Sequence, residues 1–304
     1  MELRRKPMAD KTVIVLGTAT PGGGFPAYGA PYIETIHEYD STLSIEARNT
    51  KGSTENVPLL EANKLDLGLA TGEVTYEAIN GIGQPRAANL RIINATYSQS
   101  GMFMVRAGSP YRSISDLKGK TVVWGAGSSG FIVLARYVMD GLGLDLERDF
   151  KAVFLDKAGD GPPMVLDGRA AAMWGGGVGW PPFVAIAKTP GGARFVAPDA
   201  DEIERIMAKH SFLKAAALPA GSYPGQDAPI ASVGSWPFVL ARASLAEDVA
   251  YRLARALHRG ADALGKRLAQ ARESTLSNTL AAAPRRDLIH QGVLRYMREI
   301  GLVS

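Results

Sequence analysis

The most restrictive feature of this chain is a unit that occurs twice: a short apolar strand, a glycine-rich turn and a helix start. The first copy runs Val13-Ile14-Val15-Leu16-Gly17 into Thr18-Ala19-Thr20-Pro21-Gly22-Gly23-Gly24-Phe25. The second runs Thr121-Val122-Val123-Trp124-Gly125 into Ala126-Gly127-Ser128-Ser129-Gly130-Phe131. Glycine lets backbone N–H groups approach a bound atom closely, and the helix start behind it carries positive potential. Each turn is therefore a cradle for an anion. Two cradles in separate stretches predict two lobes that close on one small anionic ligand.

The hydrophobic periodicity around these turns predicts an α/β protein. Strands at Val13–Gly17, Ser44–Ala47, Leu65–Ala70, Leu90–Tyr97 and Met102–Arg106 alternate with helices at Tyr28–Tyr39, Ser53–Ala62 and Glu73–Ile79. The order βαβα argues a mostly parallel sheet covered by helices. The plan restarts after a capped turn at Ser113–Gly119. Strands at Thr121–Trp124, Phe150–Leu155, Ala170–Trp174 and Arg194–Val196 alternate with helices at Ser129–Leu142, Gly161–Leu166 and Pro182–Lys188. A strand over Val233–Ala241 and two long helices, Glu247–Gln270 and Asp287–Ile300, finish the chain. Their apolar stripes, such as Val249, Leu253, Leu257 and Leu264, mark core-facing sides. Returning these helices to the first lobe makes Met102–Arg106 and Val233–Ala241 paired crossings. The expected division is residues 1–106 with 228–304 as lobe 1, and residues 107–227 as lobe 2.

A chain of 304 residues suits two lobes of ordinary size. Its 21% of charged residues and net charge of +4 are ordinary for a soluble protein. The basic residues are dispersed, apart from Arg4-Arg5-Lys6 and Arg285-Arg286, so no nucleic-acid arm is expected. The absence of cysteine excludes disulfides, thiolate catalysis and thiolate metal sites. No H-x-x-x-H spacing and no G-x-S-x-G elbow occurs, which argues against a zinc enzyme or a serine hydrolase. No apolar run approaches the roughly 18 residues of a membrane helix. Val13–Leu16 is too short for the apolar region of an export signal, so none is expected in the sequence as given.

Several motifs carry two readings each. Gly125-Ala126-Gly127-Ser128-Ser129-Gly130 matches the dinucleotide pattern G-x-G-x-x-G between a strand and a helix. Such an enzyme wants an acidic residue at the end of the next strand, roughly 20 residues on. Asp156 follows Gly130 by 26 residues and ends Phe150–Leu155. Against an NAD(P) enzyme, His37, His210, His258 and His290 have no carboxylate arrangement around them, and no Tyr-x-x-x-Lys pair exists. In Thr50-Lys51-Gly52-Ser53-Thr54-Glu55-Asn56, either Ser53 or Asn56 caps a helix, or both reach a ligand. Pro58 weighs against a helix starting at Ser53. Tyr28, Trp174, Trp180 and Tyr223 lie near glycine-rich loops and are either core or pocket wall.

The order of these motifs resembles the solute-binding receptors of TRAP transporters of the TAXI type. The likeness rests on Gly17 to Gly29, on Thr50-Lys51-Gly52-Ser53-Thr54-Glu55-Asn56, on Leu65-Asp66-Leu67-Gly68, and on Ser113 to Lys120. It continues through Ala126 to Gly130 and the unusual Ala220-Gly221-Ser222-Tyr223-Pro224-Gly225-Gln226-Asp227. The resemblance covers about Val13 to Ile300. It implies a two-lobe periplasmic binding protein without catalytic residues, cofactor or metal, and a monomer working with a TRAP membrane permease. The implied ligand is an organic anion, a carboxylate or acidic amino acid. The implied contacts come from Gly23, Gly24 and Tyr28, from Thr50, Ser53 and Asn56, from Gly72 and Glu73, and from Ser128 and Ser129; Phe25, which stands where the family usually has a polar or aliphatic residue, is a further candidate. Gly175-Gly176-Gly177 departs from the family pattern and leaves room beside Trp174 and Trp180, which hints at a bulky or aromatic ligand. A stand-alone ligand sensor on the same fold is a further reading.

Overall fold

The computed structural model describes residues 12–304; the Arg4-Arg5-Lys6 cluster lies outside them. The first stretch runs β1 (Thr12–Gly17), α1 (Gly24–Tyr39), β2 (Leu43–Arg48), α2 (Ser53–Glu61), β3 (Leu67–Ala70), α3 (Gly72–Asn80) and β4 (Leu90–Ala95). The second runs β5 (Gln99–Arg106), β6 (Thr121–Ala126), α4 (Gly130–Gly141), β7 (Lys151–Leu155), α5 (Gly161–Leu166), β8 (Ala172–Gly176), α6 (Pro181–Ala187), β9 (Ala193–Val196), α7 (Ala200–Lys209), β10 (Lys214–Leu218) and β11 (Ile230–Ser235). The chain then returns through β12 (Phe238–Arg242) to α8 (Glu247–Arg259), α9 (Ala261–Arg267), α10 (Leu276–Ala282) and α11 (Gln291–Glu299).

The strands form two separate sheets. The first has the order β2-β1-β3-β12-β4, with β1 parallel to β2 and β3. Strand β12 inserts antiparallel between β3 and β4. β3 is buried at every position, as a central strand covered on both faces must be. The second sheet has the order β10-β11-β5-β8-β6-β7, with β9 also on β5. Only β6 pairs in parallel there, with β7 and β8; β5 runs antiparallel to β8, β9 and β11. The second sheet is thus mixed rather than mostly parallel. Its centre is filled by Phe103, Trp124 and Trp174, whose rings meet edge-on or tilted.

Three sequence expectations change in physical detail. Val233–Ala241 is two strands, because Pro237 lacks the N–H that a continuing ladder needs. Hence β5 and β11 belong to the second sheet, although the expected division put them in lobe 1; the chain passes between sheets at Thr96–Ser98 and at Trp236–Pro237. The helix expected over Glu247–Gln270 breaks at Gly260, where a Cβ would lie 2.5 Å from Thr35 Cγ2 on α1. α7 was not anticipated, yet Asp199 and Glu202 form a reciprocal capping box at its start. Among the described residues no helix is long and apolar enough to cross a membrane.

Candidate ligand-binding cleft

Three helices begin at one place between the sheets. α1, α2 and α4 span 16, 9 and 12 residues. Gly23 and Gly24, Gly52 and Ser53, and Ser129 and Gly130 all line the same cavity. The first N–H groups of a helix have no intrahelical acceptor, and its dipole puts positive potential there. Side chains complete the lining. Phe25, Phe131 and Trp180 supply apolar wall, and Thr20, Thr71 and Gln99 supply polar groups. Among the described residues, Lys51 is the one charged side chain of the lining. The Thr71 hydroxyl is buried, close to the Glu73 carboxyl.

Local sequence explains why the lobes meet so closely here. Gly52 has φ of +123°, a backbone that a side chain strongly disfavours. A Cβ on Gly52 would also lie 3.0 Å from the Ser128 carbonyl oxygen of the other lobe. That same oxygen accepts a hydrogen bond from Thr54 Oγ1 at 2.9 Å. A Cβ on Gly130 would collide with the Thr71 side chain. One on Gly24 would stand 3.2 Å from Trp180 Cδ1. The cavity left between these contacts is about 40 Å³. That is room for a few water-sized groups, so the lobes stand closed.

The structure brings Gly23, Gly24, Phe25, Ser53, Ser129 and Trp180 of the expected site residues to this cavity. Ser129 is also the N-cap of α4, its hydroxyl accepting from the Phe131 N–H. The other expected residues do not line it. Tyr28 is fully buried, its hydroxyl donating to Ser274 Oγ, and burial pushes its pKa up to about 12. Asn56 Nδ2 donates to the carbonyls of Thr18 at 2.8 Å, Leu69 at 2.7 Å and Gly17 at 3.3 Å. It ties the first glycine turn to β3. Thr50 Oγ1 donates to the Thr18 carbonyl and accepts from the Gly52 N–H. Ser128 meets the first lobe through its backbone. Trp174 Nε1 donates to the Phe131 carbonyl inside the second core.

Gly72 and Glu73 lie on α3, directly behind Thr71. Glu73 is 1% exposed, with the Ser235 and Thr71 hydroxyls beside its carboxyl. Burial raises its pKa above the ordinary glutamate range. The glycines after Trp174 do not make room for a ligand. The ring of Trp180 fills the space where a Gly175 side chain would stand, and the Ser100 carbonyl fills that beside Gly176. At the G-x-G-x-x-G segment, Gly130 packs against Thr71 and opens only on the small cavity, and Asp156 is exposed.

Sequence reasoning missed Thr20, Thr71, Gln99, Ala126 and Phe131. Thr71 had a usable signal: it directly follows a buried strand and immediately precedes a helix, the N-cap position that Ser129 also holds. Gln99 opens β5 just after the crossing and becomes identifiable only once the two sheets are paired.

Two sheets joined by two crossings, with helix starts facing across the cleft, define the two-lobe periplasmic-binding-protein fold. Within that class the chain belongs to the NMT1-like family, whose pattern matches residues 16–301. Solved structures with similar folds include the substrate-binding protein of an amino acid ABC transporter. It has 14% identity and a TM-score of 0.51, with 86% of this chain and 99% of that one covered. The alkanesulfonate-binding protein SsuA from Xanthomonas axonopodis pv. citri, bound to MOPS, has 16% identity and a TM-score of 0.51, with 97% and 93% covered. A periplasmic transporter has 16% identity and a TM-score of 0.56, with 85% and 87% covered.

Proposed function

We propose that this chain is a non-enzymatic solute receptor that captures a small organic anion and presents it to a membrane permease. The observation that carries the reading is the convergence of three helix N-termini on one closed cavity, which Thr71 also lines. Backbone N–H groups and the hydroxyls of Ser53, Thr71 and Ser129 hold the anionic oxygens there. Phe25, Phe131 and Trp180 cover the rest of the ligand and exclude water. Closure of the lobes is the state that the permease reads.

The anion class is a carboxylate, an acidic amino acid included. Substrate-binding proteins of an amino acid transporter and of alkanesulfonates share the fold, which supports a solute receptor and a periplasmic location. The motif order from Gly17 to Asp227 supports a tripartite TRAP permease as the partner. A cavity of about 40 Å³ favours a compact ligand over a dinucleotide, and over the bulky one hinted at by the glycines after Trp174.

The test is a thermal-shift screen of the purified protein against carboxylates, acidic amino acids, sulfonates and NAD(P). A ligand at a hundred times its dissociation constant stabilises by about 2.7 kcal/mol, several degrees of melting temperature. A shift with one organic anion and none with nucleotides is the expected result. A shift with NAD(P) alone would sink the receptor reading.

A further inference from the structure

A second and larger cavity lies at the hinge side of the molecule. Its volume is about 500 Å³, inside the roughly 300–1,000 Å³ range of small-molecule sites. It spans both lobes and a crossing: Tyr76 on α3, Phe212 before β10, Trp236 between β11 and β12, and the end of α10 all line it. A strip of α3 start, Thr71 to Glu73, separates it from the cleft, because Thr71 lines the cleft and Gly72 lines the hinge cavity.

The walls specify a chemistry. The rings of Tyr76 and Phe212 stack across the lobes at 4.0 Å with 8° between their planes. Trp236 and Phe238 add further aromatic surface, and Ala281 to Pro284 close the opposite side with small side chains. Flat, apolar walls suit a flat, apolar body. Among the described residues, Lys214 is the one charged side chain of the lining; it is exposed, and its ammonium also donates to the Ser211 carbonyl at 3.1 Å. Ser235 lines the cavity, and its hydroxyl, shielded from solvent, lies beside the buried Glu73 carboxyl. Asn278 supplies an amide at the far wall.

We infer that the hinge cavity is a second ligand site, one that takes a small aromatic carboxylate. The ring lies against Tyr76, Phe212 and Trp236, and the carboxylate meets the Lys214 ammonium. An occupant touches both lobes and the Trp236–Pro237 crossing, so its binding is linked to their relative angle. The inference stands independently of the ligand held in the cleft.

Isothermal titration calorimetry with benzoate and 2-naphthoate tests it on the full chain. Saturable one-site binding in the millimolar range or tighter is expected. Ala282→Trp, which fills the cavity, should abolish the heat. Lys214→Gln, on the surface, should weaken binding about tenfold through loss of a charge-assisted contact. Ser53→Ala, in the cleft, should leave the hinge-site affinity unchanged. Circular dichroism confirms that each variant is folded, and Lys214→Gln keeps the test decisive if Ala282→Trp misfolds. No saturable heat with either probe overturns the inference. So does binding that survives both Ala282→Trp and Lys214→Gln. Binding lost in Ser53→Ala alone places the probe in the cleft and also overturns it.

Discussion

The cleft and the hinge cavity are neighbours built on opposite principles. The cleft is made largely of backbone: three helix starts and glycines that let two lobes touch. It is nearly filled, at about 40 Å³. The hinge cavity is made of side chains, mostly aromatic or small, and holds about 500 Å³. Backbone N–H groups recognise charge without needing many side chains, whereas aromatic rings recognise shape. One molecule therefore presents two kinds of selectivity on either side of the strip Thr71 to Glu73.

That contrast can be broken by experiment. The largest effect should come from Asn56→Ala, which strips a buried amide from the carbonyls of Thr18 and Leu69 and the more distant Gly17. A loss of about 2–3 kcal/mol is expected, several degrees of melting temperature, read by thermal denaturation. Cleft binding should fall with it. Binding of 2-naphthoate at the hinge should persist below the melting temperature, and loss of both together would show that the two cavities are not independent.

Gly130→Ala should wedge the lobes apart against Thr71. Small-angle scattering should report a larger radius of gyration, and cleft-ligand affinity should drop by at least about tenfold. Thr71→Ala in the same chain should restore part of both. A compact Gly130→Ala protein with normal affinity would refute the contact.

The smallest effect should lie in the dividing strip. Burial raises the pKa of Glu73, so the folded protein holds that proton more tightly than the unfolded chain. Stability from this group is present at low pH and is lost as pH rises from the ordinary glutamate value toward the folded one. Glu73→Gln should flatten that decline and leave the protein more stable at neutral pH. An unchanged dependence of melting temperature on pH would show that Glu73 does not titrate as a buried acid.

Much of this arrangement was legible in the residues. The two strand–glycine–helix units placed Gly23, Gly24 and Ser129 in turns that lead into helices, the Thr50–Asn56 segment offered Ser53 or Asn56 as a cap, and local periodicity found most elements of both lobes. α2 begins at Ser53 although Pro58, at its sixth position, leaves one intrahelical bond unmade; the turn before it is held by the Gly52 carbonyl, which accepts from the Glu55 and Asn56 N–H groups. What local pattern could not supply was pairing. β5 joins the second sheet through β8, β9 and β11, contacts far away in sequence. Asn56 and Ser53 are one turn apart on α2, yet one braces carbonyls and the other faces the cavity. Only the helix's rotation against β3 distinguishes them. Trp180 could be placed near the site, but not the fact that Gly175 exists to seat its ring.

The two crossings run side by side, and Thr96 and Pro237 bond where they leave the first sheet. Thr96 donates to the Pro237 carbonyl with its backbone N–H at 2.9 Å and with its hydroxyl at 3.1 Å. Proline has no N–H with which to answer, so the β4–β12 ladder ends one step past Ala95 and Phe238, and pairing resumes in the other sheet at Gln99 and Ser235. One oxygen gripped twice closes the first sheet at the point where both strands leave it, so any turn of one lobe against the other would fall on Tyr97–Ser98 and Trp236, the few residues between the two ladders.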